Sequence, residues 1–288
     1  KTTFAGLTLK NPVIISSSGL TNSAAKNAKL EAAGAGAIVL KSLFEEQIMM
    51  EADRLRNPSY YPEGSDYLAE YIRNHKLAEY LELIKESKKI CTIPVIASIN
   101  CYTDAEWVDF AKQIEEAGAD ALEINILALQ SDIQYKYGSF EQRHIDILSH
   151  IKKTIRIPVI MKLGSNFTNP VALIDQLYAN GAAAVVLFNR FYQPDIDVET
   201  MEHTSGDVFS NASDLSTTLR WIGISSSLVS KIDYAASGGI HKPDGIVKAI
   251  LAGASAIEIC SAIYQNTNLF VGEMNRFLSA WMERKGFK

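Results

Sequence analysis

The chain has 288 residues, of which 47% are hydrophobic and 21% are charged, and it carries a net charge of -5. This length favours one domain with a large core, and the acidic balance without a clustered Lys/Arg run argues against nucleic acid as a partner. No uninterrupted apolar run reaches the roughly 18 residues needed to span a bilayer, so no membrane partner is predicted, and the first residues are not typical of a signal peptide.

The cysteines and histidines suggest neither a disulfide framework nor a metal centre. Cys91, Cys101 and Cys260 lie in or beside apolar runs without CxxC spacing, which favours a reducing, cytoplasmic compartment. The five histidines show no metal-ligand spacing and are expected at the surface or in loops. They are His75, His144, His150, His203 and His241.

Two repeated phrases organise the chain. Four segments begin with glycine and continue as an apolar run, which indicates a helix end, a turn and a buried strand; they are residues 34–40, 118–124, 181–187 and 253–259. Residues 93–98 and 157–162 both begin with Ile-Pro-Val-Ile, which places proline where a strand starts. Continuous apolar runs are typical of parallel strands that are covered on both faces.

In chain order, eight strands are predicted, at residues 13–17, 37–42, 95–100, 121–126, 159–163, 184–189, 234–237 and 256–261. Helices are predicted at residues 105–117, 141–154, 169–180 and 243–252, with Asp104 as an N-cap and Pro243 in a first turn. This alternation predicts a TIM (β/α)8 barrel formed by residues 1–288 as a single domain.

Two longer connections interrupt the alternation. They follow strands two and six and cover about residues 44–76 and 190–216. Because both leave the C-terminal rim of the barrel, we interpret them as lids or substrate walls. The alternative is that they are insertions that face a partner.

The strand ends carry polar residues, as expected of a barrel active site. The last two strands end in Ser237-Gly238-Gly239 and Cys260-Ser261, whose backbone N–H groups can bind a phosphate at neighbouring strand-to-helix turns. Lys41, Lys162 and several amide side chains stand at the ends of other strands. This set of groups suits a flat, phosphorylated ligand.

In their order and spacing, these residues resemble those of the dihydroorotate dehydrogenase family of FMN-dependent barrel enzymes. The resemblance runs over nearly the whole chain and rests on Gly6-Leu7-Thr8-Leu9-Lys10-Asn11-Pro12, Ser17-Ser18-Gly19, Lys41-Ser42, Asn125, Lys162, Asn189, Ser237-Gly238-Gly239-Ile240 and Cys260-Ser261-Ala262. It implies a flavoprotein oxidoreductase of pyrimidine biosynthesis that takes a small-molecule substrate.

The resemblance also implies roles for individual residues. Ser17, Ser18 and Gly19 would lie under the isoalloxazine ring, and Lys41, with Ser42 beside it, would touch flavin and substrate. Asn100 and Asn125 would bond the flavin edge, Asn125 and Asn189 would meet the substrate, and Lys162 would sit beside flavin N1 and O2. Arg190, which is not part of the family pattern, could bind a carboxylate of the substrate through two parallel hydrogen bonds. Ser237, Gly238, Gly239, Cys260 and Ser261 would form the phosphate site.

The chain departs from the family pattern at the catalytic base. Family members place Cys or Ser three residues after the strand-four Asn, where this chain has Ala128, which cannot accept a proton. Ser131 is the candidate substitute, with Asp132 and Tyr135 as further polar residues nearby. The family's Asn-Ser-x-Gly-Leu phrase has no counterpart in residues 60–67, and Arg190 replaces the family's Ser or Thr.

Three functions therefore remain open. The first is an FMN oxidoreductase that acts on dihydroorotate or a related cyclic substrate. The second is an FMN-binding protein with a different or lost activity. The third is a phosphate-binding barrel lyase or aldolase that uses Lys162 or Lys41 as a Schiff-base amine. The resemblance leaves the electron acceptor unknown and allows a homodimer.

Overall fold

The computed structural model describes residues 1–44, 62–101, 107–126, 128–191 and 193–287. In the helix that begins at residue 62, side chains are described from residue 71 onward. The helices are α1 (Ala24–Ala32), α2 (Pro62–Ile90), α3 (Trp107–Glu116), α4 (Ser139–Thr154), α5 (Pro170–Ala179), α6 (Leu215–Leu228), α7 (Asp244–Ala252), α8 (Ser261–Asn266) and α9 (Leu269–Lys285). None of the helices in this described part combines the length and apolar character needed to cross a bilayer.

Eight parallel strand positions form a closed barrel. The strands are β3 (Val13–Ile15), β4 (Ala37–Val39) with β5 (Leu43–Phe44), β6 (Val95–Asn100), β7 (Ala121–Asn125), β8 (Val159–Gly164), β9 (Ala184–Asn189), β12 (Asp233–Ser237) and β13 (Ala256–Ile259). β13 pairs with β3, and β4 pairs with β6, so the ring closes. The predicted TIM (β/α)8 barrel is therefore confirmed.

An N-terminal hairpin closes the lower end of the barrel. Its strands β1 (Thr2–Phe4) and β2 (Leu7–Leu9) pair antiparallel. Phe4 and Leu9 are fully buried and pack against the inward-facing residues of the barrel strands, among them Ile14 and Ile160. A second, larger cluster fills the space between the barrel and the helices. The barrel interior is thus filled with apolar side chains at the N-terminal ends of the strands.

Helix α5 shows how particular residues determine where a helix begins and ends. Asn169 accepts a hydrogen bond from the Ala172 backbone N–H at 3.1 Å, and Pro170 occupies the first turn. The predicted helix at residues 169–180 therefore includes its two caps. The predicted helix at residues 105–117 begins outside the described residues, as does its proposed N-cap Asp104.

Both long connections contain regular structure that the sequence analysis did not predict. Helix α2 begins at Pro62, within the connection predicted at about residues 44–76. The connection after strand six contains an antiparallel hairpin of β10 (Pro194–Asp197) and β11 (Glu202–Ser205), whose residues are all exposed. Alternation is a weak signal where neither face of a strand is buried, which explains the missed hairpin.

One prediction about the histidines is wrong. His144 lies within α4 and is fully buried, in contact with Phe140 and Phe167 at ring distances of 4.7 and 5.1 Å. Its Nδ1 pairs with the Phe140 carbonyl oxygen at 2.8 Å. A buried histidine on an apolar helix face satisfies one ring nitrogen locally, so its polarity in the sequence did not indicate exposure.

Candidate active site at the C-terminal end of the barrel

A two-residue period places one polar layer directly above the apolar layer of the barrel. Ala121, Ile160 and Ala256 face the apolar interior. Two positions further along each strand stand Glu123, Lys162 and Glu258, all of which line a cavity at the C-terminal ends of the strands. Side chains alternate across a strand, so the same pattern that buries the core directs these three charged groups inward.

The cavity has a volume of about 350 Å³. Twelve of the residues predicted for the site line it: Ser17, Ser42, Asn100, Asn125, Lys162, Asn189, Arg190, Ser237, Gly238, Gly239, Cys260 and Ser261. The closed barrel brings these residues together from all parts of the chain. Their individual roles remain predictions.

Lys162 is held at the floor of the cavity by two carboxyl groups and a hydroxyl. Its Nζ lies 2.7 Å from Glu258 Oε2, 3.4 Å from Glu123 Oε1 and 2.9 Å from Ser16 Oγ. Ser16 Oγ donates in turn to Glu258 Oε2 at 3.1 Å. The exposed fractions of the Lys162, Glu123 and Glu258 side chains are only 6%, 1% and 0%, so water does not screen the group.

Burial and mutual charge determine how these groups hold protons. Burial and the charge of Glu258 raise the pKa of Glu123 well above its ordinary value. Burial opposes ionisation of Glu258 and Lys162, but their attraction prevails and lowers the pKa of Glu258 while it raises that of Lys162. These directions favour an ammonium at Lys162, a carboxylate at Glu258 and a protonated carboxyl at Glu123.

A row of serine hydroxyls connects this group with the first two strands. Ser17 Oγ and Ser42 Oγ share a hydrogen bond of 2.9 Å, and Ser42 Oγ and Ser98 Oγ share one of 2.8 Å. Ser98 Oγ donates to Glu123 Oε1 at 3.5 Å. Two predicted residues, Ser17 and Ser42, therefore support the cavity wall through their hydroxyls.

The predicted phosphate end of the cavity is made by the ends of β12 and β13. Gly238 and Gly239 both have positive φ, 91° and 76°, a conformation that glycine adopts without strain. At Gly239 an added Cβ would lie 2.2 Å from the Leu215 backbone N, so no larger residue fits there. Opposite these glycines, the Ser210 backbone N–H donates to Ser261 Oγ at 3.2 Å, and Ser210 Oγ pairs with His241 Nε2 at 2.9 Å.

Arg190 also has partners within the chain. It donates from one guanidinium nitrogen to Asp214 Oδ2 at 2.9 Å and from another to the Asp207 carbonyl oxygen at 2.8 Å. These contacts connect the end of β9 with the segment before α6. Arg190 thus borders the cavity while it holds the wall opposite the strand ends.

Four predicted site residues do not line this cavity. The exposed Lys41 lines an adjoining cavity against α2, while Ser18 caps the 3-10 turn Gly19–Thr21, in which Gly19 is the first residue. Ser131 lies in an exposed loop. Their functional roles therefore remain predictions.

Ala128, at the family's base position, is half-buried, and its carbonyl oxygen accepts a hydrogen bond from Asn166 Nδ2 at 3.2 Å. Its methyl group gives this chain no proton acceptor at the position where the family carries Cys or Ser.

The cavity residues that sequence reasoning did not assign to the site include Glu258, Ser210 and Phe44. A signal for Glu258 was present, because a carboxylate inside the apolar run of β13 requires a buried partner. Ser210 and Phe44 carried no such signal, since each reaches the cavity from a connection whose path the sequence does not indicate.

The fold and the cavity define an α/β-barrel protein whose polar residues converge at the C-terminal strand ends. The sequence model of the family described as dihydroorotate dehydrogenase matches residues 1–282. The chain belongs to the dihydroorotate dehydrogenase family, which confirms the resemblance.

Individual relatives are similar over almost their full length. The dihydroorotate dehydrogenase B (NAD(+)) catalytic subunit of Methanocella arvoryzae is 30% identical over 292 residues, covering 98% of this chain and 93% of the relative. The subunit of the same name from Thermoplasma volcanium is 27% identical over 296 residues, covering 100% and 94%. That from Methanosarcina acetivorans is 27% identical over 289 residues, covering 98% and 91%.

Proposed function

We propose that this chain is an FMN-dependent oxidoreductase that moves hydride from a dihydropyrimidine-like substrate to flavin N5. Residues 1–288 would form a single FMN-binding domain. The observation that carries the proposal is the family match over residues 1–282, together with a polar cavity at the strand ends. Relatives named as dihydroorotate dehydrogenases support the same class of oxidoreductase.

The cavity residues fit a flat ligand that carries hydrogen-bonding groups and a phosphate. Among the described residues that line the cavity, Asn125 has a buried Oδ1 atom without a protein hydrogen-bond partner. Buried polar atoms of this kind call for a ligand or water partner. Gly238 leaves open space where a side chain would otherwise project, since an added Cβ would meet its nearest atom only at 4.0 Å.

Bound FMN would supply an acceptor for hydride at N5. The chain's own residues would bind and orient it: Asn100 and Asn125 at the ring edge, Lys162 beside N1 and O2, and the Gly238-Gly239 and Cys260-Ser261 backbone at the phosphate. Ser17, Ser18, Gly19, Lys41 and Ser42 would lie around the ring, with Ser237 beside the phosphate. Asn189 and Arg190 would meet the substrate.

The second candidate is an FMN-binding protein with a different or lost activity. Ala128 favours this candidate, because a methyl group cannot remove the substrate proton. Ser131 would act as the base only if its loop brought it toward the cavity, which the described position does not do.

The lyase alternative is weakened by the environment of Lys162. A Schiff-base lysine must lose its proton to become a nucleophile, whereas two buried carboxyl groups hold this amine as an ammonium. Lys41 is exposed and lies outside this buried group, so the argument does not apply to Lys41. Borohydride trapping of a lysine adduct would support the lyase and contradict the proposal.

Spectroscopy of the purified protein, with FMN added if necessary, tests the proposal. We expect tightly bound FMN with the visible absorbance of an oxidised flavin, and its bleaching by substrate in the absence of oxygen. A protein that does not bind FMN would contradict the proposal. A yellow protein that dihydroorotate does not bleach would favour the second candidate.

Two variants separate a missing base from a changed substrate. If only the base is missing, Ala128→Cys should accelerate bleaching by dihydroorotate by about 10²-fold or more. Ser131→Ala should slow bleaching only if Ser131 is the base in this chain. No bleaching by dihydroorotate in either variant would indicate a different or lost activity.

The electron acceptor and the assembly are part of the proposal. Because the relatives are named for NAD(+), NAD(+) is the first acceptor to assay. A homodimer is the oligomeric state to test. The three free cysteines suit a reducing, cytoplasmic compartment.

A further inference from the structure

The two carboxyl groups around Lys162 change what this lysine can do for a ligand. An isolated ammonium beside the ring edge would stabilise added negative charge there. Here Glu258 Oε2 lies 2.7 Å from the ammonium and Glu123 Oε1 lies 3.4 Å from it, all within the buried cluster. The cavity therefore presents a paired charge rather than a free positive one.

The pairing is built into the barrel and does not depend on mobile surface side chains. Glu123 and Lys162 extend from the neighbouring strands β7 and β8, while Glu258 and Ser16 come from β13 and the end of β3. Ser16 Oγ contacts both Lys162 Nζ, at 2.9 Å, and Glu258 Oε2, at 3.1 Å. The three side chains are almost completely buried, so their charges act at low dielectric.

One carboxylate is sufficient to cancel the lysine charge, and the second carboxyl group can replace it as the ionised partner. Glu258 lies closer to the ammonium and is the ionised partner, whereas burial and the nearby Glu258 charge raise the pKa of Glu123, so that it holds a proton while Glu258 is charged. If Glu258 were neutralised, Glu123 would ionise in its place and pair with the same ammonium.

We propose that Glu258, backed by Glu123, is a redox-tuning pair that offsets the charge of Lys162 and lowers the reduction potential of the cofactor bound in this cavity. The inference rests on the proposed function, because it assumes FMN in this site. A lower potential favours the release of electrons from the reduced cofactor to an acceptor or substrate. Glu258 and Glu123 act through Lys162 and are therefore positioning residues.

The test compares the midpoint potential of the FMN-loaded protein with that of the variant Glu123→Gln/Glu258→Gln. Both substitutions preserve the shape of the side chain: Glu258→Gln removes the charge, and Glu123→Gln removes the carboxyl group that could ionise in its place. We expect the double variant to shift the equilibrium at least tenfold toward the reduced cofactor, which is about 30 mV for a two-electron couple. Each single variant should shift it less, because the remaining carboxyl group ionises. Glu116→Gln, an exposed carboxylate on α3, is the matched control and should leave the potential unchanged.

The outcomes separate this inference from the proposed function. A wild-type protein that does not bind FMN overturns both. A double variant that binds FMN with an unchanged or lower potential overturns the inference alone.

A second measurement covers the case in which the double variant does not fold. In the FMN-free protein labelled with 13C at the glutamate carboxyl carbons, NMR at neutral pH should show one protonated and one ionised buried glutamate. In Glu258→Gln, the signal of Glu123 should move to the ionised position. A Glu123 that stays protonated in Glu258→Gln would overturn the proposed exchange of roles.

Discussion

Lys162 illustrates how a single buried ion pair binds distant parts of this barrel together. Its partners come from strands β7 and β13 and from the residue after β3. A buried charged side chain is stabilised by its oppositely charged partner rather than by water, so loss of one partner leaves the other charge uncompensated. The same contacts that shape the candidate site therefore contribute to its stability.

Substitution of Lys162 by Met should destabilise the protein by about 3–5 kcal/mol, because Glu258 would be left buried without a cation. Urea unfolding measures this loss. Adding Glu258→Gln to Lys162→Met should recover part of it. The control is Lys248→Met, which removes an exposed pair with Asp244 and should cost less than about 1 kcal/mol. Equal losses at the two lysines would contradict this account.

At the scale of elements, Tyr80 supplies hydrogen bonds where the barrel strand is interrupted. β4 ends at Val39 and β5 begins at Leu43, so Ser98 of β6 has no paired residue in either of these two strands. The Tyr80 hydroxyl from α2 accepts from the Ser98 backbone N–H at 2.7 Å and donates to the Ser98 carbonyl oxygen at 3.0 Å. One side chain thereby replaces both ladder bonds and fixes α2 against the barrel.

Tyr80→Phe should therefore cost about 1–3 kcal/mol, since it leaves a buried backbone N–H and carbonyl without that partner. Tyr71→Phe on the same helix is the control, because Tyr71 is 60% exposed. Thermal unfolding of both variants measures the difference. A loss at Tyr80 no larger than at Tyr71 would show that water satisfies Ser98 instead.

The buried His144 predicts how the stability of α4 and its surroundings depends on pH. Burial lowers the pKa of His144 from 6.5 to about 4, opposed by its bond to the Phe140 carbonyl and supported by the neighbouring Arg143 charge. The unfolded chain therefore binds a proton that the folded chain rejects between these pH values. This contribution to stability is complete above about pH 6.5 and is lost as the pH falls toward 4.

We expect His144 to contribute a loss of roughly 3 kcal/mol in the free energy of unfolding between pH 7 and pH 4. Urea unfolding across this range measures the slope. His144→Gln does not titrate and should lose that part of the slope, although it lowers stability at all pH values. His150→Gln, at an exposed position on the same helix, is the control. An unchanged slope in His144→Gln would contradict the assignment.

At the scale of the whole molecule, closure of the barrel assembles the candidate site. Ser16 and Glu258 are separated by 242 positions in the sequence, yet their side chains are 3.1 Å apart. The contact forms because β13 returns to pair with β3. Ligand binding at this end should thus stabilise the fold as a unit, because the ligand binds residues from both ends of the chain.

Under the proposed function, FMN at about 100 times its Kd should stabilise the folded chain by about 2.7 kcal/mol and raise Tm by about 5 °C or more. Riboflavin, which lacks the phosphate, should give a smaller increase at the same concentration if the two glycine and Cys-Ser turns bind phosphate. Differential scanning calorimetry measures both shifts. Equal shifts would show that the turns do not contribute, and no shift with either would contradict flavin binding.

The sequence by itself determined the barrel and most of the cavity wall. Its repeated glycine-led apolar runs mark the strands, and polar residues at the strand ends must meet at one rim because parallel strands share a direction. Twelve of the predicted residues line the observed cavity for this reason. The local signal was weaker for α2 and for the exposed β10–β11 hairpin, whose structure does not follow from a buried face.

Only the tertiary structure decided which charges meet. Glu258 reads in sequence as one carboxylate in an apolar strand, and its partner could not be chosen without the register of β13, β3, β7 and β8. The same holds for Arg190, which is held by Asp207 and Asp214. Pairing between charges depends on distances of a few ångströms across the closed ring, and periodicity along one strand carries no information about them.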